Sequence, residues 1–177
     1  MLTSSISICC KRLRLSNNLA VNSAQVQADS HQEYLLKLLE LEIEHRENAK
    51  YDRLLKSAGF YYLKSFEDFK FDEITLPSSV SPEYLKSLEF LESKTNLVMY
   101  GNVGTGKTFL SIALGVEACK QGVVTRFFRT AALVNKLSES KKTGTLPKFL
   151  KKLYQADLII LDEWVRAHRH NRSTTTI

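Results

Sequence analysis

The sequence predicts an α/β domain: a parallel sheet with flanking helices, incomplete at its C-terminal end and preceded by a helical region. Three observations predict it. From Asn96 onward, short apolar runs alternate with amphipathic ones, the order that lays helices against parallel strands. A glycine-rich stretch, GNVGTGKT at residues 101–108, separates the first apolar run from the first amphipathic one. Downstream, the apolar run LIIL (residues 158–161) ends on the acid pair Asp162 and Glu163, and the residues after Trp164 offer almost nothing to bury.

Composition sets the limits. A chain of 177 residues is one domain, or one domain with a small helical appendage. Hydrophobic residues make up 44% and charged residues 25%, which places it among ordinary globular proteins. No apolar run is long enough to span a membrane. The opening MLTSSISICCKRLRLSNNLAV lacks the basic-then-apolar order of a secretory signal. Cys9, Cys10 and Cys119 have no metal-ligand spacing and read as reduced thiols, so a cytoplasmic location is expected. The formal charge of +6 hints at nucleic acid, but Arg166, Arg169 and Arg172 of the polar tail carry half of the excess. Lys141, Lys142, Lys148, Lys151 and Lys152 form a second basic run, for which a solvated helix face is the plainer explanation.

Along the chain, the first thirty residues are polar and weakly patterned. SHQEYLLKLLELEIEHRENAKYDRLLKSAG then opens with Ser30 and Glu33 in capping-box spacing. Leu35, Leu38, Leu39, Leu54 and Leu55 recur at helical intervals, Glu42 and Arg46 stand four apart, and Gly59 is a natural stop. This predicts a long helix, with a possible break near Asn48. The aromatic stretch FYYLKSFEDFKFDEITLP either stacks on bases or anchors a linker onto the core, the second being the simpler reading. SPEYLKSLEFLES predicts one helix with Ser81 as cap and Pro82 at its first position. NLVMY predicts a strand, KTFLSIALGVEACKQG a helix ending at Gly122, VVTRFF a strand, TAALVNKLSES and LPKFLKKLYQA helices, and LIIL a buried strand. The predicted divisions are residues 1–95, a helical and linker region; 96–164, a partial nucleotide-binding domain; and 165–177, the tail.

The chemistry starts at residues 101–108, which match G-x-x-x-x-G-K-[ST] between a predicted strand and a predicted helix. Gly101, Gly104 and Gly106 let backbone approach phosphate, and Asn102, Val103 and Thr105 complete a loop whose N–H groups face the anion. Lys107 would reach the β- and γ-phosphates of ATP, and the Thr108 hydroxyl would ligate Mg²⁺. The expected partner is a carboxylate ending a buried strand. Asp162 fits that role as the second metal-binding group, and Glu163 is placed to polarise an attacking water, which favours hydrolysis over transfer. His168 and His170 are spaced histidines in the tail, and no metal site is expected there.

The strings NLVMYGNVGTGKTFLSIALGVEACKQG, RFFRTAALVNKL and LPKFLKKLYQADLIILDEW resemble the IstB-like ATPases. These are AAA+ helper proteins of a bacterial insertion-sequence family, related to the DnaC-type helicase loaders. YLLKLLELEIEHRENAKYDRLLKSAGF resembles the helical region that precedes their P-loop NTPase domain, and the resemblance covers roughly residues 31–164. It implies ATP binding, homo-oligomerisation on DNA and regulation of a partner transposase, with residues 101–108 as the Walker A loop, Asp162 as the Walker B ligand and Glu163 as the catalytic acid. Two other readings stay open: a DnaC-like replicative helicase loader, and a non-enzymatic interaction module with a vestigial nucleotide site.

After Trp164 the resemblance stops. VRAHRHNRSTTTI can be back-translated so that a one-base shift reads Tyr-Val-Pro-Ile-Asp-Thr-Thr-Gly-Ala-Gln-Leu-Leu, the continuation typical of the family. Residues 165–177 are therefore expected to be the out-of-frame end of a disrupted gene. The family's sheet order, 5-1-4-3-2, would place a missing strand between NLVMY and LIIL, so these would pair directly or leave edges exposed. Each apolar side chain left in water forfeits about 1.5–3 kcal/mol against a total stability of about 5–15 kcal/mol. Weak nucleotide binding and little turnover are expected.

Overall fold

The computed structural model describes residues 2–164. The expectations placed on residues 165–177, the out-of-frame reading and the histidines among them, lie outside these. The chain divides into two compact units, residues 1–53 and 54–177. That division falls well before residue 95, because residues 66–91 contribute to the same core as the segments after 96.

The first unit is helical from its start, contrary to the weak patterning of its sequence. Helix α1 spans Leu2–Leu13, α2 spans Asn17–Asn22, and α3 begins at His31 and runs unbroken to Ala58, with no interruption at Asn48. Arg14, in the left-handed region at φ 56, ends α1: Leu15 N donates to Cys10 O at 2.8 Å and Arg14 N to Lys11 O at 3.2 Å. A residue with a Cβ costs about 1–2 kcal/mol in that conformation, and the contacts around it supply compensation. Arg46 donates to the Arg14 carbonyl at 2.6 Å and to Glu42 Oε1 at 2.8 Å. Glu42, only 5% exposed, also accepts from the Ser16 N–H at 3.0 Å and from the Ser16 hydroxyl. The start of α3 follows the sequence: Ser30 Oγ accepts from Glu33 N at 3.1 Å, while Glu33 reaches back to Asp29 N at 2.9 Å.

The second unit begins with the last turn of α3, which Gly59 stops at φ 84. The aromatic stretch forms two short 3₁₀ turns, Phe66–Asp68 and Phe71–Glu73, and Phe66, Phe69 and Phe71 pack against the core. These three rings anchor the stretch on the core, while Tyr61 and Tyr62 stay 57% and 46% exposed. SPEYLKSLEFLES forms two helices rather than one, α4 (Pro82–Ser87) and α5 (Glu89–Glu92). Ser81 caps α4 by accepting from Tyr84 N at 3.1 Å. The break is Leu88, left-handed at φ 62 and 2% exposed, and the turn lets Leu85, Leu88 and Phe90 all enter the core. Burying each of these is worth about 1.5–3 kcal/mol, more than the left-handed residue costs.

Helix α6 (Lys107–Lys120) is the centre of this unit. Leu110, Leu114 and Ala118 meet α4 and α5 on one side, and Ile112 and Val116 meet Phe127, Phe60 and Ile160 on the other. Strands β1 (Thr125–Arg129) and β2 (Leu158–Asp162) pair in parallel, Thr125 opposite Leu158 and Arg129 opposite Asp162, and helices α7 (Thr130–Lys142) and α8 (Leu146–Tyr154) make the crossover between them. Asp157 pins the strand entries, its carboxylate accepting from Val124 N at 3.0 Å and its N–H donating to Val124 O at 2.8 Å. The described architecture is thus helix-rich with a short two-stranded parallel sheet, an α/β arrangement of the P-loop type.

The predicted strand NLVMY is not a strand. Residues 95–100 carry no ladder: the described sheet holds β1 and β2 alone, and these residues do not reach either free edge with hydrogen bonds. Leu97 and Met99 still pack on the core, but Val98 and Tyr100 are 83% and 93% exposed. Of the two outcomes foreseen, direct pairing or exposed edges, the structure has the second.

Two outcomes follow from this packing. A Cβ at Gly115 would fall 2.6 Å from the Phe60 ring and 2.7 Å from Ile160 Cδ1. Gly115→Ala should therefore lose stability: helix propensity gains about 1 kcal/mol, but overpacking costs about 1–3 kcal/mol. A chemical-denaturation midpoint at or above that of the unaltered chain would contradict it. Glu42 is the second case. Burial opposes its ionisation, yet hydrogen bonds from Ser16 and Arg46 outweigh burial and hold its carboxyl below the usual 4.5. Its contribution is complete above that pH and is lost as acid carries the solution through its folded-state value. Thermal melts of the unaltered chain and of Glu42→Gln should differ most at neutral pH and converge once acid has carried the solution below the folded-state value of Glu42.

Candidate functional site

The glycine loop hangs from the N-terminus of α6. Gly101, Gly104 and Gly106 have φ of 147, 86 and 79, so all three use backbone space that side chains disfavour. Gly106 is the N-cap of α6, and its carbonyl accepts the first helical bond, from Leu110 N at 2.9 Å. Thr105 Oγ1 donates to Asn102 O at 2.9 Å, tightening the loop. The Lys107 ammonium turns back onto it, donating to Gly101 O at 2.9 Å and Asn102 O at 2.6 Å. Val103 stands free in solvent. With the N–H groups of residues 106–109 lacking helical partners, the start of α6 supplies partial positive charge beside the lysine.

Across from the loop, β2 delivers Asp162. The Thr108 hydroxyl donates to both carboxylate oxygens of Asp162, at 3.0 and 3.1 Å, joining residues 54 positions apart in sequence. Thr130, at the start of α7, donates to the Asp162 carbonyl at 3.0 Å and fixes the strand end from its other side. The next residue, Glu163, is left-handed at φ 54, a conformation that tends to occur at functional sites. Its carboxylate lies 3.6 Å from Arg129 Nε, and the Arg129 guanidinium also lies over the Tyr61 ring at 4.5 Å. A cavity of about 1170 Å³ opens between residues 96–100 and β2; the loop apart from Asn102, with Asp162, Glu163 and Trp164, lines it. Trp164 is 69% exposed.

Thr108 and Asp162 present hard oxygen donors at one point, the donor type Mg²⁺ takes. Among the described residues no three His, Cys, Asp or Glu side chains cluster as a metal site. An ion here would complete its shell with water and phosphate oxygens, as Mg²⁺ characteristically does.

A family profile described as IstB-like ATP binding protein matches residues 10–171. The chain belongs to that family. The match begins ahead of residue 31 and runs past Trp164, into the stretch that the sequence reading placed out of frame. The IstB-like chain is 33% identical over 137 residues to a protein of Geobacillus stearothermophilus named for ATP binding in insertion sequence IS5376, covering 76% of this chain and 53% of the relative. It is 30% identical over 142 residues to the similarly named IS1162 protein of Pseudomonas fluorescens, covering 76% and 59%. With the IS21 protein of Pseudomonas aeruginosa it shares 33% over 135 residues, covering 76% and 51%. The chain spans about half the length of these curated relatives.

In the IstB-like chain seven of the eight loop residues, all but Asn102, line one cavity together with Asp162 and Glu163. That reading missed Arg129 and Thr130. Their place beside Asp162 comes from the parallel register of β1 and β2, which no local pattern announces. It also left Phe69 as a generic linker anchor, whereas the ring lies against the loop at Gly106. Arg129 and Glu163 are each at least half exposed, so their pairing adds little stability. Arg129→Ala, which also removes the contact with Tyr61, should cost about 1 kcal/mol or less. Urea denaturation measures this, and a larger loss would mean that the pair organises the strand ends.

Proposed function

We propose that the chain binds ATP with Mg²⁺ in the cavity beside residues 101–108 and serves a transposase partner acting on DNA during movement of an insertion sequence. The observation that carries the proposal is the Thr108–Asp162 contact. It brings the metal-binding hydroxyl and carboxylate together beside a phosphate-binding loop, in a chain of an ATP-binding family. The names of the relatives support the insertion-sequence setting.

The residues divide the work. Backbone N–H groups of residues 101–106 and the start of α6 cradle the phosphates. Lys107 leaves the carbonyls of Gly101 and Asn102, which hold its ammonium in place, and pairs with the β- and γ-phosphates. Thr108 and Asp162 would hold Mg²⁺, which when bound neutralises charge developing on the phosphates. Glu163 orients the attacking water and accepts its proton, which requires its carboxylate to be free of Arg129. Turnover is slow in this reading, because residues 96–100, which lead into the loop, have no strand to brace them.

The basic residues of α7 and α8, Lys141, Lys142, Lys148, Lys151 and Lys152, support a non-specific DNA contact made by several copies together. The free cysteines fit a cytoplasmic setting, and no helix among the described residues is long and apolar enough to cross a membrane.

Titration with a fluorescent ATP analogue, with and without Mg²⁺, tests the site. Lys107→Ala should weaken binding by about tenfold or more, the loss of a charge-assisted contact. Thr108→Ala and Asp162→Asn should abolish the gain from Mg²⁺ while leaving metal-free binding nearly intact. A chain that binds no nucleotide, or binds equally after Lys107→Ala, would refute the reading. Co-purification with a transposase of the same insertion sequence tests the partner.

A further inference from the structure

Phe69 lies far from the glycine loop in sequence and against it in space. A Cβ built on Gly106 would meet Phe69 Cε2 at 3.1 Å and Cζ at 3.7 Å. Apart from the glycine's own chain neighbours, no other atom of the described residues comes within 4 Å of that position. The same ring packs on Phe109, the residue after Thr108, with centroids 5.4 Å apart. Phe69 thus touches the helix start on both sides of the lysine and threonine that the site uses.

The ring has little room to retreat. Phe71 meets it edge-on at 5.0 Å, and Phe71 is in turn stacked on Phe66 at 6.1 Å with Lys86 over its face at 5.5 Å. All three phenylalanines pack on the cluster of Leu85, Leu88, Phe90, Leu110 and Leu114. The backbone is held too, because Ser65 caps the first 3₁₀ turn by accepting from Glu67 N at 3.2 Å. Lys64 Nζ sits over the Phe109 ring at 4.8 Å.

The loop itself has few comparable supports. Residues 101–105 are exposed, and the side-chain bonds described there run within the loop or to Lys107. Gly106 is where the loop turns into α6, in a left-handed conformation that sets the direction of the preceding N–H groups. An unsupported left-handed glycine has several neighbouring conformations available to it, and a ring packed on its Cα face removes some of them.

We propose that Phe69 is a positioning residue for the phosphate loop: the aromatic linker presses on Gly106 and Phe109 and so sets the loop's readiness for nucleotide. The proposal rests on residues 101–108 being the nucleotide site. It gives the absence of a side chain at Gly106 a second reason besides its φ, since any Cβ would displace the ring. It also couples the linker to the site. Whatever orders residues 65–71 tightens nucleotide binding, and bound nucleotide tightens the linker by the same factor.

The test compares three variants of the full chain in a fluorescent ATP-analogue titration, each at a temperature where circular dichroism shows it folded. Phe66→Ala is the control for general loss of packing, because Phe66 joins the same aromatic cluster and core, while among the described residues it is Phe69 that meets the Phe109 ring and a Cβ at Gly106. Phe69→Ala should raise Kd by roughly ten- to a hundredfold, the scale for small misplacements of a binding group. Phe66→Ala should stay within about twofold although its melting temperature falls comparably, and Phe69→Leu, which restores apolar bulk, should recover most of the affinity. Equal Kd for Phe69→Ala and Phe66→Ala overturns the proposal, provided the unaltered chain binds and Lys107→Ala binds more weakly. If the unaltered chain binds no nucleotide, the site reading fails and the proposal fails with it.

Discussion

Helix α6 is buried on two opposite faces, and most of what the second unit can do depends on that double burial. One face is held by α4 and α5, the other by the sheet and the start of the linker. A helix so held cannot slide or roll without opening one cluster or the other, because interiors at crystal-like density transmit displacement rather than absorb it. Its N-terminus is therefore a fixed point in space. The loop hangs from that point, Thr108 projects from the first turn, and β2 arrives at a set distance because Ile160 packs on the same helix.

The helical unit uses a different device. Its apolar burial is sparse, and Leu35, Leu36, Leu39, Leu41 and Ile43 of α3 remain substantially exposed. Order at the junction of α1 and α2 comes instead from one carboxylate, Glu42, that accepts from a backbone N–H, a hydroxyl and a guanidinium. Buried charge of this kind adds little over an apolar pair of the same shape, but it admits one arrangement of its partners.

Much of the site was legible beforehand because its chemistry is local in sequence. The loop GNVGTGKT carries its own conformational demands, and α6 and β2 follow from periodicity and from the length of apolar runs, although the strand is not buried as its run suggests, Ile159 and Leu161 being 43% and 40% exposed. What escaped is what depends on a partner. NLVMY has the composition of a strand but no neighbour to make it one. Residues 2–22 form helices held by groups 26 to 32 positions away, Glu42 and the Arg46 contact with Arg14. The split at Leu88 was invisible because only the assembled core makes a left-handed leucine worthwhile. Arg129 reached the site through strand register, and Phe69 through the path of the linker, neither of which a local pattern records.

Trp164 follows Glu163 directly, lines the cavity and stands 69% exposed at its rim. It is also the single tryptophan of the whole chain. An indole in water emits at long wavelength, and one that is covered or brought near a charge emits differently. The protein's ultraviolet emission above the tyrosine range thus originates at one place, the mouth of that cavity, and the chain carries an optical reporter of it without any label being attached.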